Sequence, residues 1–156
     1  MDTALLETLG DRMMTMALDN LERDGYVGFT CLLLSKDRTE LVPIMPDIVD
    51  EDSKTALANM LRLLAPHSAA IVLIYESWTL QGEEALQRLR GDTQNAHSPA
   101  RKESVCVQVS SPHGDLVLIT SFLRDAHAKP IRPTEVKAMW QSVACPGKFN
   151  DLFAQH

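Results

Sequence analysis

The run Ala-Ala-Ile-Val-Leu-Ile-Tyr at residues 69–75 limits the fold of this chain more than any other feature. It is short, continuous and rich in β-branched residues, as in a strand buried on both faces. A strand with one wet face would alternate polar and apolar residues, and this one does not. The chain must therefore supply a covering layer for each face of a sheet. Amphipathic helices are the usual solution, which points to an α+β fold.

Two strong helical patterns are available. Residues 3–24 place Leu6, Leu9, Met13 and Met16 at helical spacing, with Met14, Leu18 and Leu21 widening the stripe. Asp2 or Thr3 can cap the start and Gly25 the stop. Residues 50–65 form the second helix, with Asp50, Glu51 and Asp52 at its positive end and Pro66 beyond it. Its apolar stripe reads as Ala56, Met60, Leu63 and Leu64, with Leu57 and Leu61 beside it. Residues 29–35 and 39–44 form a hairpin around Lys36-Asp37-Arg38, with Pro43 and Pro46 marking an edge. Residues 103–110 and 116–123 form a second hairpin around Pro112-His113-Gly114-Asp115. Residues 82–90 read as a short helix with Ala85, Leu86 and Leu89 inward. Residues 91–102 read as a polar loop, and 132–143 as a last helix with Val136, Met139, Trp140 and Val143 inward. The expected order is α-β-β-α-β-(α)-β-β-α. It describes a roughly five-stranded antiparallel or mixed sheet in a single domain over residues 1–156, with 144–156 as a tail.

Composition narrows the function classes. The chain has 156 residues, 45% of them hydrophobic and only 5% aromatic, so its 7 methionines are expected to fill the core. Net charge is −6. Residues 1–52 hold 12 acids and 4 bases, a net −8, and the remainder is net positive. Such a balance disfavours direct binding to nucleic acid or to an anionic membrane. Cys31, Cys106 and Cys145 are too few and too widely spaced for a disulfide framework, so a reducing, cytoplasmic setting is expected. The start of the chain lacks a signal-peptide pattern, and no apolar run is long enough to cross a bilayer.

Most catalytic signatures are missing. There is no glycine-rich dinucleotide loop, no P-loop around Gly147-Lys148 and no G-x-S-x-G elbow. Zinc spacings are absent too, so neither a metal nor a cofactor is expected. Ser111, His113 and Asp115 share one turn, but a triad needs groups that converge from separate elements.

One constellation stands out. If the third, fourth and fifth strands form a meander, Glu76 and Trp78 end the third, Arg101 and Glu103 begin the fourth, and Arg124 and Asp125 end the fifth. All would share one end of the sheet. Glu76, Glu103, Arg101 and Arg124 are the candidate catalytic residues, and Trp78 and Asp125 the candidate ligand contacts. Close carboxylates perturb one another, and an arginine fork can orient them or hold an anion. The competing expectation is a salt-bridge network that serves the fold, with Trp78 as a hydrophobic plug.

The same residues carry a resemblance. Glu76-Ser77-Trp78 after an apolar strand, then Pro99-Ala100-Arg101-Lys102-Glu103, then a strand ending in Arg124-Asp125, resembles a group of small bacterial and phage-encoded proteins with no known activity. The resemblance covers about a third of the chain. It implies that these positions act together, whether in folding or in chemistry.

Three functional classes follow. The first is a non-catalytic binding or accessory protein of a bacterium, phage or mobile element, whose partner is another protein. The second is a small hydrolase or acid–base enzyme using Glu76 and Glu103, with Arg101 or Arg124 holding an anion. The third is an acidic inhibitor that mimics nucleic acid. The sequence leaves the oligomeric state open.

Overall fold

The computed structural model describes residues 2–80, 101–141, 149, 152 and 153, without side chains at 78–80, 101 and 141. The first helix, α1, spans Thr3–Asp24. The Asp2 side chain accepts the Leu5 N–H at its start, and Gly25 ends it in the left-handed region at φ 83°, donating to Leu21 O. Then come β1 (Thr30–Ser35) and β2 (Leu41–Ile44), followed by α2 (Glu51–Leu64). The Asp50 side chain accepts the Ser53 N–H and Ser53 Oγ accepts the Asp50 N–H, so α2 opens on a reciprocal cap. These bonds hold the Asp50 carboxyl below the usual carboxylate range. A 3₁₀ turn at Ala65–His67 leads into β3 (Ser68–Leu80), β4 (Arg101–Ser111) and β5 (Gly114–Arg124). Two short strands, β6 (Pro130–Ile131) and β7 (Lys137–Gln141), complete the described elements.

The strands form one antiparallel sheet in the order β2-β1-β3-β4-β5-β6, with β7 also pairing β5. As residues 69–75 required, both faces are covered. Alternate residues of β3 enter opposite cores. Ala70, Val72 and Ile74 join Val105, Val107, Val109, Leu116 and Leu118 beneath α1. Ile71 and Leu73 join Cys31, Leu57, Leu61 and Leu152 on the α2 side. Every residue from Ala70 to Ile74 is buried.

Gly10 sets how closely α1 approaches the sheet. A Cβ there would stand 2.8 Å from Leu118 Cδ1 and 3.3 Å from Leu116 Cδ2. At the far edge, Ser35 N–H donates to Glu40 O. Hydrogen-bonded and non-bonded pairs alternate along such a ladder, so Pro43, opposite Leu32, falls at a non-bonded position. The donor it lacks would have pointed outward from the sheet, and its absence blunts that edge.

Several expectations are corrected. Residues 132–141, the described part of the expected helix at 132–143, are not helical. Lys137–Gln141 is a strand, pairing Asp115 through Ile119 of β5. The spacing of Val136, Met139 and Trp140 fits a helix, but β5 would otherwise present an unpaired row of backbone groups, and tertiary pairing outweighs weak helical spacing. Trp140 anchors the strand by packing on the α1 core and donating Nε1–H to Glu7, while Arg132 pairs with Asp19 and Glu22. Among the described residues the sheet accordingly has seven strands where roughly five were expected. The third strand does not end at Glu76–Trp78 but continues to Leu80, because β4 pairs with it as far back as Arg101. The stripe of α2 is also rotated: Leu57, Ala58 and Leu61 are buried, whereas Met60 and Leu63 are exposed. The expected helix at 82–90, most of the polar loop at 91–102, and Cys145 lie outside the described residues. Among the described residues no helix is long and apolar enough to cross a membrane.

Candidate functional site

Three of the charged residues singled out in the sequence, Glu76, Glu103 and Arg124, meet on the α1 face of the sheet, where the helix ends. In β3, Glu76 stands opposite Val105, and in β4, Glu103 stands opposite both Trp78 and Phe122. Arg124 closes β5. Above them the chain leaves α1 at Gly25 and enters β1 at Thr30.

Arg124 is the hub. Its Nε donates to Glu103 Oε2 at 2.8 Å and its Nη2 to Glu103 Oε1 at 3.2 Å, a two-pronged pairing that fixes both planes. Nη1 and Nη2 both donate to the carbonyl of Gly25 at 3.3 Å, and Nη1 also donates to Ala128 O at 3.0 Å. Each guanidinium nitrogen is thus engaged within the protein. The cation also lies 5.4 Å from the Phe122 ring centroid, within range for cation–π attraction. The hydrogen bonds that Arg124 donates to Glu103, with the attraction of Glu103 and Glu76, raise the Arg124 pKa above its ordinary value, so the residue stays charged. Glu76 reaches up to the same connection: its Oε1 accepts the Val27 N–H at 2.5 Å. Between them the two side chains grip a carbonyl at Gly25 and an amide at Val27, groups that a turn leaves without ladder partners.

The other candidates fall as follows. Asp125 builds the turn after β5: its Oδ1 accepts the N–H groups of His127 and Lys129, and its own N–H donates to Lys129 O. Trp78 and Arg101 occupy paired positions in β3 and β4, opposite Glu103 and Leu80, and their side chains lie outside the described atoms. Ser111 Oγ donates to Gly114 O and accepts from His113 N–H, as a turn-forming residue does. Sequence reasoning missed the cluster's backbone partners at Gly25 and Val27. The only signal for them was Gly25 as a helix stop.

Beside the cluster lies a groove of about 530 Å³ lined by residues that include Gly25, Lys129, Pro130 and Arg132. Most of its charges are paired, Arg23 with Asp24 and Arg132 with Asp19 and Glu22. On the opposite face of the sheet, Gln108 is buried and donates to Ser110 Oγ and to the Phe149 carbonyl. Cys106 and Ser77 are in contact at 3.2 Å. Cys31 and Cys106 are buried free thiols. Burial pushes Cys31 up to about 11 and raises Cys106 as well, so neither is activated as a thiolate. Among the described residues no group of three or more His, Cys, Asp or Glu side chains is placed to hold a metal ion. No protein-family model, curated protein or solved structure matches the chain.

Proposed function

We propose that this chain is a small binding or accessory protein that docks on another protein through the flank built by β2, the connection at 45–50, and α2. One observation carries the reading. The segment hides Ile44, Ile48, Leu57 and Leu61 against the core yet leaves Met45 89%, Val49 77% and Leu63 76% exposed, with Val42 and Met60 also in water. An α2 that served the core alone would show a polar outer side. Apolar surface rimmed by charge is the usual mark of a partner site. The resemblance of the 76–125 motifs to small bacterial and phage proteins suits an accessory role.

The acid–base reading has less support, because both oxygens of Glu103 and every nitrogen of Arg124 are engaged inside the protein. A nucleic-acid mimic needs a row of unpaired carboxylates. In the acidic first third, Asp2, Asp37 and Asp50 serve caps and turns. Asp19, Glu22, Asp24 and Glu51 are ion-paired.

The test is affinity capture from the native host with wild-type protein and with Met45→Lys/Leu63→Lys as bait. Both positions are exposed, and Lys near the end of α2 suits its dipole, so thermal melting should be unchanged. A protein retained by the wild type should fall at least about tenfold with the variant, the effect of losing apolar anchors worth roughly 1.4 kcal/mol or more. Equal capture by both baits would overturn the reading.

A further inference from the structure

Between the first half of α1 and the β1–β2 turn lies a pocket of about 180 Å³ lined by Leu5, Thr8, Leu9, Arg12, Leu34 and Arg38. We infer that this pocket binds a carboxylate carried on a small apolar body, with Arg12 and Arg38 holding the carboxylate and Leu5, Leu9 and Leu34 receiving the body. The site is separate from the β2–α2 flank and does not rest on the reading given for it.

The arginines supply the first line of support. Arg23, Arg62, Arg124 and Arg132 all have partners within the protein. Arg12 and Arg38 have none among the described residues, although they sit in the acidic part of the chain. They line the same pocket. The carboxylate nearest Arg38 in sequence, Asp37, is committed elsewhere: its Oδ1 accepts from Ser35 Oγ, Thr39 N–H and Thr39 Oγ. Two unpaired guanidinium forks at one cavity form a receptor for a planar anion.

Size and lining select the ligand. Small-molecule sites for larger ligands usually measure roughly 300–1,000 Å³, and this one is smaller, holding the volume of about six waters. That suits one isobutyl- or benzyl-sized group. The apolar floor argues against bare phosphate, which would strand its oxygens against leucines. The fitting ligands are the C-terminal residue of a peptide with an apolar side chain, or a free short carboxylic acid of the same shape.

Arg38 also offers a clean variant. It holds φ 64°, a left-handed conformation that glycine adopts at lower cost. Arg38→Gly should therefore keep or raise the melting temperature while removing one fork.

The experiment is a calorimetric and amide-NMR titration of the whole chain with N-acetyl-Gly-Gly-Leu, its C-terminal amide, 4-methylpentanoate and inorganic phosphate. The free acids should bind with dissociation constants on the order of 1 mM or tighter and shift amides of α1 and the 35–40 turn. The amide should bind at least about tenfold more weakly. Arg12→Gln and Arg38→Gly should each weaken the acids by about tenfold, as expected for losing one charge-assisted pairing. Tighter binding of the peptide than of 4-methylpentanoate assigns the site to a chain end, and equal binding assigns it to a free acid. Absence of acid binding at about 10 mM, equal affinity for acid and amide, phosphate binding as tight as the acids, or full binding by Arg38→Gly would each overturn the assignment.

Discussion

Arg124→Ala is expected to lose about 2 kcal/mol of folding stability, between the 0–1 of exposed ion pairs and the 3–5 of buried ones. The intermediate value follows from the exposure of the partners, 28% for the Arg124 side chain and 23% for that of Glu103. The variant strands the Glu103 carboxylate within the field of Glu76 and removes donors from the carbonyls of Gly25 and Ala128. Adding Glu103→Gln to Arg124→Ala should recover part of the loss, because the stranded charge is gone. Glu103→Gln alone should destabilise by about 1 kcal/mol, since it weakens a charge-assisted pairing. Denaturant melts of these three variants and of Glu76→Gln distinguish this from a functional site. A site that holds like charges together for chemistry would be neutral to Glu76→Gln or Glu103→Gln, or stabilised by them.

Gly10→Leu should have a larger effect, a loss of about 3 kcal/mol or more from overpacking. The obstruction is specific: Leu118 Cδ1 and Leu116 Cδ2 occupy the space, and both leucines are buried with little room to turn. Gly10→Ala sets two effects against each other. Alanine improves the helix by about 1 kcal/mol, but its Cβ must displace Leu118 or lift α1 off the sheet. A small net loss of about 1 kcal/mol is expected, since α1 covers one entire core. Leu118→Val shortens the obstructing side chain, so Gly10→Ala/Leu118→Val should be more stable than the sum of the single changes predicts. Thermal melts of the four proteins measure that coupling.

How far the fold could be read from residues depends on where each signal is local. α1 was legible from end to end because its stripe, its Asp2 cap and its Gly25 stop agree with one another. The cap of α2 was equally plain, but its rotation was not. Ala56, Met60 and Leu63 are as apolar as Leu57 and Leu61, and the side that turns inward is the one packed with Cys31, Ile71 and Leu73 of the sheet and with Ile44 and Ile48. β7 was hidden because its reason for being a strand lies in β5, with partners 18 to 26 residues away, whereas its own spacing suits a helix. The convergence of Glu76, Glu103 and Arg124 followed from the meander and needed no side-chain detail. Their partners at Gly25 and Val27 could not be read, since backbone groups leave no trace in residue type.

The central claim is that this acid–arginine cluster fastens the connection between α1 and β1 to the sheet, leaving partner binding to other surfaces. Hydrogen exchange at the Val27 amide tests it most directly, because that N–H is held by Glu76 alone among the bonds described. Wild-type Val27 should exchange slowly, and Glu76→Ala should speed it by at least about tenfold while amides in the core of β4 change much less, as local opening allows. Rapid exchange of Val27 in the wild type, or a rate unchanged by Glu76→Ala, would contradict the account.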